Sequence, residues 1–342
     1  MPETTRLDRF VIWIKNNKVL AVIILMAISV MAVSQFVQSV VSLMRAGREF
    51  VSPGHADDAE SVFLRALAPS KPAATITFSG KGTGPGLFTD ARNIAVDQRG
   101  QVFVVEWNRG RVQRFEADGK FIGQWSITPW EDDTVNGISI DTNGVLYVAH
   151  QKDVWRYDGD TGKLLGKLTF PKDDLFQVWD VKVIPGGGVA INWEGSDYHV
   201  VLFDAALRVR RTLTNPLYAH REGLADPHPE PGKLAVDGLG NIYVVQNHGE
   251  AVFKFSSDGA FLNRFGSDGV APGQLHNIQA IAANGKGDVF VSDVSGIQVF
   301  DGTGRFLRRI EMHDSWAMGI AFNNSGQLYA ITDNAVMRFD SP

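Results

Sequence analysis

The sequence predicts an all-β protein: six four-stranded antiparallel blades set radially as a six-bladed β-propeller, preceded by one N-terminal transmembrane helix. Three observations predict it. A turn-and-strand unit recurs six times, its marker positions 39 to 53 residues apart. Further short strands follow each copy. An uncharged stretch of 26 residues, between Lys18 and Arg45, precedes the first copy. Repeats of this length made only of strands point to a propeller rather than a helical solenoid.

Residues 1–18 are read as a cytoplasmic segment and 19–44 as the anchor. As a helix, "VLAVIILMAISVMAVSQFVQSVVSLM" is long enough for a hydrocarbon core of about 30 Å. A cleaved signal peptide is the rival, with small residues at "AVS" 32–34, but apolar character continues to Met44. A buried core helix fits less well, because the stretch stands outside the repeats. Arg6, Arg9, Lys15 and Lys18 precede the span, against Arg45 and Arg48 after it. The positive-inside rule therefore puts the repeats outside the cytoplasm. Residues 45–73 form a linker in which Asp57 or Asp58 would cap a short helix carrying Val62, Phe63, Leu64 and Leu67. "APSKPAA" follows as an extended spacer.

Residues 74–342 hold the repeats. The cores are "IAVDQRGQVFVV", "ISIDTNGVLYVA", "VKVIPGGGVAIN", "LAVDGLGNIYVV", "IAANGKGDVFVS" and "IAFNNSGQLYAI". Asp97, Asp141, Ile184, Asp237, Asn284 and Asn323 fill the marker position. Asp or Asn opening a turn closed by Gly suits a type I turn, and an alternating strand follows. Third strands such as "RVQRFEADG" and fourth strands such as "KFIGQW" complete each meander, with Asp-Gly turns between them. The sixth unit stops after its third strand. "ATITFSGKGTGPGLF" at 74–88 has the layout of "AFLNRFGSDGVAPGQL" at 260–275, a fourth strand with its exit loop. Residues 74–79 are therefore expected to complete the sixth blade, which hides its edge.

The pattern GxxGPGxF, then (I/L)AVD, then a Gly turn and (V/I)YV, then DG before the fourth strand, resembles the NHL-repeat family of six-bladed propellers. The resemblance covers 74–342 and is best in the first, fourth and fifth units. It departs most at "PGGG" 185–188 in the third. It implies an interaction platform for protein or sometimes RNA. Related six-bladed propellers include metal-dependent lyases and lactonases, and fold alone does not choose among these.

Composition narrows the classes. There is no cysteine, hence no disulfide, thiol nucleophile or Cys-based zinc site. Residues 72–342 carry 25 Lys and Arg against 32 Asp and Glu, a net of −7, which disfavours nucleic acid as a partner. No Gly-x-Ser-x-Gly or His-Glu-x-x-His signature occurs. "GKGTGPG" at 80–86 suggests a phosphate loop, but no helix is expected after it and the loop recurs at 266–273, so it reads as a structural turn. The repeated Asp turn likewise reads as backbone support rather than a metal site.

Functional residues are expected on loops held by rigid strands. The loops between second and third strands and those joining blades share one face. That face collects Trp107, Trp130, Trp179, Trp193 and Trp316, five of the eight tryptophans. Trp combines large buried area with a polar handle, which suits a binding face, although inter-blade packing uses aromatics too. His150 and His248 end equivalent second strands and join this candidate face. With Glu106, Asp293 and Asp333 they also form an alternative set that would hold calcium or zinc on the axis. Local turn bonding is the competing explanation for the acids. "NPLYAHREGLADPHPEPG" at 215–232 is a long insertion with His220, Glu222, Asp226, His228 and Glu230, read as an acidic flap or a metal clip. The expected function is a membrane-anchored, non-enzymatic module that binds a protein, peptide or glycan on the Trp-rich face and needs no cofactor. The alternative is a metal-dependent hydrolase or lyase acting on the axis.

Overall fold

The computed structural model describes residues 70–71, 74–128, 134–171, 174–224, 231–246, 249–312, 316–340 and 342. The anchor at 19–44, most of the linker, Trp130, His248 and residues 225–230 of the insertion lie outside them. No helix among the described residues is long and apolar enough to cross a membrane.

Six antiparallel meanders make the blades. Blade one runs Ala91–Val96, Val102–Glu106, Arg111–Phe115 and Phe121–Ser126. Blade two runs Val135–Ile140, Val145–His150, Asp153–Asp158 and Leu164–Lys167. Blade three, despite its degraded turn, runs Gln177–Val183, Val189–Glu194, Tyr198–Phe203 and Val209–Thr214. Blade four runs Pro231–Val236, Ile242–Gln246, Val252–Phe255 and Phe261–Phe265. Blade five runs Ala280–Ala283, Val289–Asp293, Gly296–Phe300 and Phe306–Ile310, and Ser70–Lys71 adds a parallel strand to its outer edge. In blade six, Gly319–Phe322, Leu328–Ile331 and Val336–Phe339 are joined by Ile76–Phe78. Phe78 pairs with Val336 and Ile76 with Arg338, so the two ends of the repeat region share one sheet.

The Asp turn explains why each blade starts the same way. In blade one, Asp97 Oδ1 accepts from the amides of Arg99 (2.9 Å) and Gln101 (2.8 Å). Asp141, Asp237, Asn284 and Asn323 repeat this bonding at their own turns. Gly100 closes the first turn at φ +81°, a conformation costly for residues with a Cβ. At Ile184 the side-chain acceptor is lost, and the turn keeps its backbone bond from Gly187 N to Ile184 O (3.0 Å).

Among the described residues the core is divided into six hydrophobic clusters, one at each blade-to-blade contact. Between blades one and two, for example, Val105 and Val112 pack on Val135, Ile138 and Val148. Polar stitches near the axis add direction to this burial. Asn93 Nδ2 donates to Val135 O (2.7 Å), Asn136 Nδ2 to Val178 O (2.9 Å) and Asn192 Nδ2 to Gly232 O (2.7 Å). Each links one blade to the next. Buried amides without such partners would cost about 1–3 kcal/mol apiece.

The Gly-rich loop at 80–86 is filled by the protein itself. Gly86 N donates to Gln113 Oε1 (2.7 Å), and Gln113 Nε2 donates to Leu87 O (2.8 Å). Gly273 and Gln298 repeat the arrangement in blade five, with Gly273 N to Gln298 Oε1 at 3.0 Å. These loops tie a blade connection to a third strand.

Candidate functional site

The axis opens at both ends. On the face of the Asp turns lies a funnel of about 910 Å³, lined largely by the apolar first strands, among them Ile94, Ile138, Ile281 and Phe322. Its turn acids Asp141 and Asp237 are engaged by backbone amides of their own turns and by the Tyr147 and Tyr243 hydroxyls. On the opposite face, where second-to-third loops and blade connections gather, lies a cavity of about 400 Å³. A constriction of about 20 Å³, lined by Arg92, Asp180, Lys182, Lys233 and Met318, lies between them. The smaller cavity is the better candidate, because its polar groups converge on space rather than on turns.

Its walls come from the axial ends of the first strands and from neighbouring loop residues. Arg92 is held by Asp90 through two bonds, 2.7 and 3.1 Å, and lies 3.8 Å above the Trp107 ring. Trp179 donates its indole N–H to Glu194 Oε2 at 2.9 Å, which fixes the ring plane at the rim. Gln177, Gln246 and Gln279 add amides. Gln279 Nε2 is oriented by Asn277, 2.9 Å to its Oδ1.

Lys233 forms the floor. It starts on the first strand of blade four, yet its ammonium donates to the backbone carbonyl of Asn136 on blade two. Asp180 is close but committed elsewhere. Its Oδ1 accepts from Lys182 Nζ (2.9 Å) and Val181 N (2.8 Å), and its Oδ2 from Leu234 N (2.9 Å). Burial pushes the Lys233 amine down from the ordinary lysine range; Asp180 opposes the shift, and the cations Lys182 and Arg92 add to it. The residue is half-buried by surface area, its exposure lying along the axis where it lines the cavity and the constriction.

The sequence-derived candidates fall into separate places. Trp107 and Trp179 meet at the cavity. Trp193 is instead buried in the cluster between blades two and three, stacked on His199 at 4.0 Å. Burial holds that imidazole below its usual range. Trp316 is half exposed. His150 is buried at the end of its strand, opposite Asp153. Glu106 is fully buried and accepts from Thr89 N (2.9 Å), the Thr89 hydroxyl (2.8 Å) and Arg111 Nε (2.5 Å). Burial works against its charge, but these donors more than offset it and hold the carboxyl below the usual range. Asp293 accepts from His276 N, Ser295 N and Gln298 Nε2, yet burial dominates and raises its pKa. Asp333 is exposed in the blade-six loop, where its carbonyl accepts from Ala91 N (3.0 Å). Among the described residues, no three His, Asp or Glu side chains cluster to hold a metal ion. In the insertion, His220 stacks on Phe261 of the outer strand of blade four at 3.5 Å.

Arg92, Lys233 and the three glutamines were not singled out in the sequence. The signal available was positional. Arg92 and Lys233 lie five and four residues before the marker Asp of their units, in the first halves of first strands.

Neither a protein-family model nor a curated protein matches the chain. Solved structures do resemble it. A gluconolactonase, XC5397 from Xanthomonas campestris, aligns at TM-score 0.55 and 16% identity over 80% of this chain and 99% of that one. The WD40 β-propeller domain of Doa1 aligns at 0.53 and 15% over 79% and 97%. A protein of unknown function from Bacteroides caccae aligns at 0.51 and 16% over 68% and 82%. At these identities the likeness is one of fold: an all-β propeller.

Proposed function

We propose that this protein is a membrane-anchored, non-enzymatic binding propeller that captures a small carboxylate-bearing ligand in its loop-face cavity. One observation carries the reading: among the described residues lining that cavity, the ionisable side chains are Arg92 and Lys233, both basic, in a repeat region of net charge −7. Asp90 engages Arg92 Nε and Nη2, which leaves Nη1 for charge-assisted bonding to a carboxylate, and Lys233 adds N–H donors beside it. The Trp107 and Trp179 rings provide flat apolar faces, and the glutamine amides match hydroxyl groups. An acidic sugar is the glycan that fits this chemistry. The anchor at 19–44 would hold the cavity at a membrane, facing away from the cytoplasm.

Calorimetry on the full chain tests it with methyl glucuronide and methyl glucoside. The expected result is binding of the glucuronide, weakened at least tenfold by Arg92→Met and by raised salt. Equal binding of the neutral glucoside would overturn the charge argument. Protease accessibility of the propeller in sealed membranes would test the orientation.

A further inference from the structure

The floor of the cavity has chemistry that simple anion binding does not use. An ammonium group carries three N–H donors and is satisfied by acceptors or a paired acid. Lys233 has one acceptor among the described residues, the neutral carbonyl of Asn136, and no ion-pair partner among them. The nearby carboxylate of Asp180 is already bonded to Lys182 and two backbone amides. A neutral amine fits this surrounding better. It donates one N–H to Asn136 and leaves its lone pair for the cavity. The charged groups around it are Asp180 and Lys182 of blade three, which pair with each other, and Arg92 of blade one, which pairs with Asp90. Burial is the main influence and moves the amine toward the uncharged form, the state in which a lysine is a nucleophile, while Asp180 opposes it.

Resting on the anion-binding reading, we propose that Lys233 condenses reversibly with the carbonyl of a 2-oxo acid whose carboxylate is held by Arg92. The lone pair of Nζ attacks the carbonyl carbon and forms the C–N bond, while the carbonyl electron pair moves to oxygen, which takes up a proton. The carbinolamine then loses water: the C–O bond breaks, nitrogen gives up its remaining proton, and an imine is left. The balance is amine plus ketone giving imine plus water, with no oxidant or reductant. The volume of about 400 Å³ leaves room for a hydroxylated tail beside the glutamines.

Pyruvate and sodium cyanoborohydride, added to the full chain at neutral pH, provide the test. Intact mass and peptide mapping read the product. The expected result is one reduced adduct at Lys233, suppressed by saturating methyl glucuronide and absent in Lys233→Arg and Lys233→Met, with circular dichroism confirming that at least one variant is folded. Labelling of Lys233 no faster than of the surface lysines would overturn the proposal, as would an adduct insensitive to the competitor. If lactate, which lacks the carbonyl, binds by calorimetry while trapping fails, the imine alone falls. If neither lactate nor glucuronide binds and no adduct forms, the anion site falls with it.

Discussion

Lys233 of blade four donates a hydrogen bond to the carbonyl of Asn136 of blade two, reaching past blade three at the axis. The contact joins residues 97 apart in sequence. It places an amine where the two axial openings approach each other, and it gives that amine a neutral partner instead of a carboxylate.

Replacing this amine changes stability in a pH-dependent way. The folded state holds the Lys233 proton less tightly than the unfolded chain, whose lysines titrate at about 10.4. Between the lowered folded value and that figure, unfolding takes up a proton, so stability rises with pH across the window; below it the full cost of the charge remains. Lys233→Met removes the group. Thermal denaturation over a pH series is expected to show the variant ahead at neutral pH, with wild type catching up as pH rises. Parallel curves would contradict this.

Gly137 supports the same site from behind. A Cβ there would lie 2.1 Å from Asp180 Oδ1 and 2.8 Å from Asp180 Cα. The backbone cannot yield cheaply, so Gly137→Ala is expected to cost at least ~2 kcal/mol, within the range for overpacked cores. Urea titration measures it. The variant should also lose ligand affinity, because Asp180 positions Lys182 and the first strand of blade four.

The Asp turns are graded by what the side chain can accept. Asp237 takes four hydrogen bonds, from Leu239 N, Asn241 N, Asn241 Nδ2 and Tyr243 Oη. Asp237→Ala is expected to cost about 2–3 kcal/mol, leaving buried donors unmet. Asp237→Asn should cost less than half of that, since Asn284 and Asn323 run the same turn. Equal losses in chemical denaturation would show that charge, not acceptor geometry, carries the turn.

Glu106 and Asp293 end equivalent second strands but behave oppositely. Glu106 is paired to Arg111, so its lowered pKa gives stability that is present above ~4.3 and lost as pH falls through the folded value. Glu106→Ala strands the mostly buried Arg111 and is expected to cost about 3 kcal/mol at neutral pH. Asp293 is raised by burial, so its contribution is present below the ordinary Asp value and lost as pH rises. Asp293→Asn should be neutral or stabilising at pH 7. A fall comparable to that of Glu106→Ala, followed by circular dichroism melting, would refute the distinction.

The blades were legible because their grammar is local. Asp97 bonds Arg99 and Gln101, and Asp141 repeats this 44 residues later, so a turn and its strand can be recognised without knowing what they pack against. Trp107 and Trp179 were legible as loop-face residues for the same reason. Trp193 shared their strand-end context, but its ring is buried between blades against His199. Sequence position could not separate these cases, because the two faces of a blade are alike until a neighbour covers one.

By itself the sequence determined the all-β repeat, the number of blades, and the turn that starts each one, since these depend on contacts within a few residues. Tertiary structure decided which polar residues face open space. Arg92 and Lys233 lie 141 residues apart, in the first halves of first strands in different blades. They line one cavity only when the ring brings those strands to a common axis, and the Lys233 amine is pushed below the ordinary lysine range only when that ring buries it.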